Sequence, residues 1–84
     1  MKKIMMFSAA WCGPCKATKP VFNALKEELK DVTMEVVDIN EQEELAQEYD
    51  IRSIPTFVLL NGEDEVARMS GGASADKLKA FINQ

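Results

Sequence analysis

The sequence has no histidine in its 84 residues, so no imidazole is available as general base, proton relay or metal ligand. Cysteine is almost as scarce, with two residues, Cys12 and Cys15. A zinc site wants about four N or S ligands, so only a site completed by carboxylates or a second subunit remains open. Three prolines, four glycines and no low-complexity tract or repeat exclude a disordered or fibrous chain. Long hydrophobic runs are missing too. Ile4 to Phe7, behind Lys2-Lys3 and ahead of Ser8-Ala9-Ala10, imitates an export signal but is shorter than the roughly 7–15 apolar residues one needs. A cytoplasmic location is therefore expected, where thiols are kept reduced. Basic side chains are the minority, 10 against 14 acidic for a net charge of −4. The lysines are scattered, which argues against nucleic-acid or membrane partners and for proteins or small thiols. The length allows one domain, residues 1–84.

Lys2 to Phe7 is apolar without alternation, as in a strand buried on both faces. From Pro14 to about Leu29, Ala17, Val21, Phe22, Leu25 and Leu29 recur at helical spacing. Pro20 should kink this helix without stopping it, because the periodicity continues beyond it. Val32 to Ile39 forms a second strand, parallel to the first across the helix. Asn40 with Glu43 resembles a helix cap and its reciprocal acceptor, opening a short helix with Leu45, Ala46 and Tyr49 inward. Thr56 to Leu60, the turn Asn61-Gly62-Glu63-Asp64 and Glu65 to Met69 describe an antiparallel hairpin. After Gly71-Gly72, Ser74 caps a closing helix with Leu78, Phe81 and Ile82 on its apolar stripe. The fold class is α/β, in the order β-α-β-α-β-β-α.

Cys12-Gly13-Pro14-Cys15 carries the chemistry. With a helix starting here, the first thiol sits at its N-terminus and the second about one turn on, a spacing that permits a reversible disulfide. Unpaired N–H groups and the helix dipole favour the Cys12 thiolate, making Cys12 the nucleophile. Cys15, deeper in the helix, is the sulfur that resolves a mixed disulfide. Pro14 gives up an N–H that has no partner at a first turn, and Gly13 permits close approach by a partner chain. A purely structural staple is the competing reading, but so small a loop contributes only about 2 kcal/mol before strain.

Trp11-Cys12-Gly13-Pro14-Cys15-Lys16, with Ile54-Pro55-Thr56-Phe57 and then Gly71-Gly72-Ala73, resembles the thioredoxin family across essentially the whole chain. The resemblance implies a cis Pro55, bringing the Ile54 backbone beside the cysteines as an edge for an extended substrate peptide. It places Gly72 along the same groove and Trp11 beside the cysteines. Taken singly, Trp11 and Ile54 are equally readable as core, Gly72 as the lead into a helix, and Pro55 as a strand-start proline.

Two departures stand out. The family carries a further N-terminal helix and strand, so a four-stranded version with the second strand at an exposed edge is expected. Family members also place a buried aspartate six residues before the first cysteine, with a basic partner, where this sequence has Met6 and Val36. The implied activity is reduction of protein disulfides by a monomer without bound cofactor, the Cys12–Cys15 disulfide being its redox group. An NADPH-dependent flavoprotein, thioredoxin reductase, would recharge it. The alternatives are a glutaredoxin-like protein recharged by glutathione, suggested by the short length and Gly71-Gly72 near Asp76, or a non-catalytic binding module using the groove.

Overall fold

An apolar run is stable as a strand only with both faces covered, and the computed structural model, which describes residues 1–84, covers both. β1 (Lys2–Ser8) pairs in parallel with β2 (Val32–Asp38) and antiparallel with β3 (Thr56–Asn61), which pairs antiparallel with β4 (Asp64–Ser70). The sheet order is β2-β1-β3-β4, with β2 at an edge as expected. Alternation along β1 divides the core in two. Ile4 and Met6 join a cluster with Cys12, Cys15, Phe22, Leu25, Phe57 and Leu78, while Met5 and Phe7 join Val37, Val58 and Leu60 on the other face.

Two helices cover the first face. α1 (Gly13–Glu28) buries Cys15, Thr18, Phe22 and Leu25, and its periodic stripe carries it through Pro20 without a break. α3 (Ala75–Ile82) buries Leu78, Phe81 and Ile82, with Ser74 Oγ accepting from the Lys77 N–H at 3.2 Å. Lys2 Nζ donates to the carbonyl of Ile82 at 2.7 Å, tying the end of α3 to the start of β1. On the second face Leu45 and Tyr49 pack half-buried, the Tyr49 ring 5.9 Å from that of Phe7.

The short helix differs from expectation. α2 (Glu43–Glu48) starts after Gln42, and no side chain caps it. Asn40 is not its cap, because Asp38 Oδ1 accepts from the backbone N–H groups of Asn40 at 2.8 Å and Glu41 at 3.3 Å. That carboxylate closes a turn directly after β2 and delays the helix. The hairpin turns on Gly62, at φ +67°, and Glu63. A bulge in β4 lets Leu59 pair with Ala67 and Leu60 with Glu65, so Val66 stays unpaired and exposed.

Candidate functional site

Cys12 is the N-cap of α1, with extended backbone, and its Sγ accepts the Cys15 N–H at 3.2 Å. A sulfur therefore occupies the place where a serine or aspartate oxygen usually satisfies a free helix N–H. Pro14 fills the first turn, which holds no acidic residue to oppose a thiolate, and Lys16 follows it. The two cysteines are joined as a disulfide, their Cα atoms 5.3 Å apart. Cys12 is 5 % exposed and Cys15 not at all, so an incoming sulfur meets Cys12 first. A group that favours negative charge at the outer sulfur, with a second sulfur held one turn behind it, can open and close a disulfide.

The floor beneath the cysteines is free of charge. Met6 is fully buried and stands opposite Val36 in the β1–β2 register, both in the cysteine cluster. The only buried polar side chains in the molecule are Ser8, Thr18 and Thr56. No three His, Cys, Asp or Glu side chains converge as a metal site.

The peptide bond Ile54-Pro55 is cis. Ile54 lies half-buried against both core clusters and lines a shallow cavity of about 300 Å³ with Trp11, Ile39, Ile51, Arg52 and Ser53. Trp11 is 68 % exposed, so its ring belongs to the surface beside Cys12 and not to the core. Pro55 is buried, and its carbonyl accepts from Gly71 N–H at 2.9 Å, holding the Gly71-Gly72 segment near the start of β3. Gly72 does not line the cavity with Trp11 and Ile54. It faces α1 instead, where a Cβ on it would come within 3.3 Å of Thr18 Oγ1. Gly13 and Pro14 are exposed, with open space around Gly13.

Thr18 escaped the sequence reading. Its hydroxyl donates to the Pro14 carbonyl at 3.0 Å and closes the first turn of α1; the signal was a Thr four residues after a helix-opening proline. Ile39, Ile51 and Arg52 also line the cavity, but only the folded chain brings them together. A larger open depression, about 670 Å³, runs along α2 from Asn40 to Glu48. Four glutamates line it, and no group there exchanges electrons.

The whole chain, residues 1–84, matches the family profile described as Thioredoxin. It is 42 % identical over 80 residues to Thioredoxin H2-1 of Oryza sativa subsp. japonica, covering 95 % of this chain and 57 % of that protein. Thioredoxin of Oryctolagus cuniculus is 40 % identical over 81 residues, 96 % of this chain and 76 % of the relative. The chain thus spans somewhat more than half to three quarters of these proteins. The crystal structure of thioredoxin NaTrxh from Nicotiana alata superposes with a TM-score of 0.92 at 38 % identity, covering 98 % of this chain and 70 % of that one. With a matching family profile, fold and helix-capping cysteine pair, the chain belongs to the thioredoxin family of disulfide oxidoreductases.

Proposed function

We propose that this protein reduces disulfides of other proteins and is itself recharged by an NADPH-dependent flavoprotein reductase of the thioredoxin reductase type. The Cys12 thiolate attacks one sulfur of a substrate disulfide, forming a mixed disulfide and expelling a thiolate. Cys15 then attacks Cys12, the Cys12–Cys15 bond closes, and the second substrate sulfur leaves as a thiol carrying the proton from Cys15. Two electrons pass to the substrate, and the reductase returns two. The redox group is the cysteine pair alone, working in a cytoplasmic monomer with no bound cofactor. Trp11, Gly13, Pro14 and Ile54 form the surface against which an extended substrate chain lies, with the buried Pro55 setting the course of the Ile54 backbone beneath it.

The observation that carries this reading is the Cys12 sulfur at the N-cap of α1, accepting a backbone N–H, with Cys15 buried behind it. The test is insulin-disulfide reduction. Cys12→Ser should abolish turnover, whereas Cys15→Ser should abolish turnover yet accumulate a mixed disulfide at Cys12. Retained turnover in Cys12→Ser would refute the assignment. Supplying NADPH with a thioredoxin reductase, or glutathione with glutathione reductase, distinguishes the source of electrons; recycling by glutathione alone would overturn the reductase assignment.

A further inference from the structure

One buried polar side chain has no hydrogen-bond partner, Ser8, whose Oγ is fully enclosed. The other buried hydroxyls are engaged, Thr18 with the Pro14 carbonyl at 3.0 Å and Thr56 with that of Ser53 at 2.6 Å. An enclosed hydroxyl without a partner is destabilising, so its place in the fold matters. Alternation along β1 points Ser8 to the face of Ile4 and Met6, which is the face of both cysteines.

Its depth along that face follows from the register. α1 joins two parallel strands and so runs back over β1 in the opposite direction. The Phe22 ring lies 6.0 Å from that of Phe57, the register partner of Met6, which fixes one common level. From there Ser8 is two residues further along β1, about 6.6 Å at the strand rise. Thr18 and Cys15 are four and seven residues back along α1, about 6 Å and 10 Å in the same direction. Ser8 therefore lies at about the level of Thr18, roughly 4 Å short of that of Cys15, and with the disulfide closed its Oγ bonds to neither sulfur.

We infer that Ser8 is a positioning residue for the resolving sulfur, its hydroxyl donating a hydrogen bond to the Cys15 sulfur once the disulfide is open and favouring the thiolate that attacks Cys12. The inference rests on the disulfide-exchange reading above. In the resolving step the Cys15–Cys12 bond forms and the Cys12–substrate bond breaks. The proton of Cys15 goes to the departing substrate sulfur, and Ser8 keeps its own proton throughout. No charge on the packed elements stands in for the hydroxyl. Asp38, opposite Ser8 in the register, has its carboxylate committed to the Asn40 and Glu41 N–H groups. β3 offers Phe57 and Leu59 on this face. On α1 Lys16 is exposed and Lys19 partly so, and on α3 Asp76 and Lys77 are exposed and Lys79 partly so.

The experiment is an NMR titration of the reduced chain labelled with 13Cβ-cysteine, comparing the unaltered protein with Ser8→Ala and Ser8→Thr. Losing a hydrogen bond to a charged acceptor should raise the Cys15 pKa by about one unit in Ser8→Ala, and Ser8→Thr should restore it. Release from a preformed Cys12 mixed disulfide at pH 7 should slow about threefold in Ser8→Ala, the smaller thiolate fraction being partly offset by its greater nucleophilicity, with the first attack by Cys12 unchanged. A Cys15 pKa that is the same in all three proteins, or equally raised in Ser8→Ala and Ser8→Thr, overturns the inference. The titration needs no turnover, so its outcome stands apart from that of the insulin assay.

Discussion

Met6→Asp restores the carboxylate that this family usually keeps beneath the second cysteine, but here nothing awaits it. Met6 is fully buried, Val36 stands opposite, and no cation lies in the core. Burial without a partner raises a carboxyl pKa by up to 3–5 units. Taking about 3 units above the unfolded value of about 3.9, at about 1.36 kcal/mol per unit, gives a charge-linked penalty of about 4 kcal/mol. The sign follows from proton binding. Below about pH 4 both folded and unfolded chains carry the proton, and no charge-linked penalty exists. Between about pH 4 and 7 the unfolded chain releases it while the folded chain holds it, so stability falls as pH rises. At about 0.05–0.15 kcal/mol per residue the whole domain has about 4–13 kcal/mol, and the variant should be close to unfolding at neutral pH. Urea denaturation of the oxidised Met6→Asp and Met6→Asn proteins at pH 4 and pH 7 measures this. The Asp variant should lose about 3 kcal/mol more than the Asn variant across that interval, the rest of the penalty falling just outside it. Equal losses would mean that the floor of the site is wet or charged, and the reasoning would fail.

Four further outcomes follow, three from the packing and one from an ion pair. Phe57→Ala, which empties a fully buried site against Phe22, should cost about 3–5 kcal/mol in the same denaturation assay. Gly71→Ala places a side chain at φ +93° with open space around it, so its cost of about 1–2 kcal/mol is purely conformational. Gly13→Ala, in the first turn of α1 and equally free of contacts, should leave stability unchanged or raise it by up to about 1 kcal/mol. Arg68 grips Glu65 through two hydrogen bonds, at 2.7 and 2.9 Å, and holds its carboxyl below the usual range. That contribution is complete above the unfolded carboxyl pKa and disappears as pH falls through the lower folded one. Arg68→Ala should therefore narrow the stability difference between acid and neutral pH, measured by thermal melts.

The elements legible in the sequence were those whose periodicity matches their burial. The apolar run of β1, the stripe Phe22-Leu25 of α1, the Asn61–Asp64 turn and the Ser74 cap all specify their structure locally. The cysteine pair was legible for the same reason, because a helix start and its capping sulfur are neighbours in the chain. α2 was misplaced because its start depends on the Asp38 carboxylate taking the Asn40 and Glu41 N–H groups, a competition that Asn40 and Glu43 alone do not reveal. The cavity gathers Trp11, Ile39, Ile51 and Ile54 from three separate stretches of chain, so no local pattern announces it. Gly72 falls on the Thr18 side because the Pro55 carbonyl fixes Gly71 beside β3. Ser8 looks in the sequence like a small residue ending a strand, and only its enclosure without a partner singles it out.

Everything chemical here begins with negative charge being favoured on the Cys12 sulfur at the start of α1. In the reduced protein, the pH dependence of Cys12 alkylation by iodoacetamide reports that charge directly. An N-terminal helix site contributes about 0.3–2 kcal/mol and the hydrogen bond from the Cys15 N–H adds to it. The pKa of Cys12 should therefore lie about 1–2 units below the ordinary thiol value of about 8.5, in line with the value near 7 known for thioredoxin-type C-x-x-C motifs. A Cys12 pKa at or above about 8.5, with Cys15 the faster to react, would contradict the account.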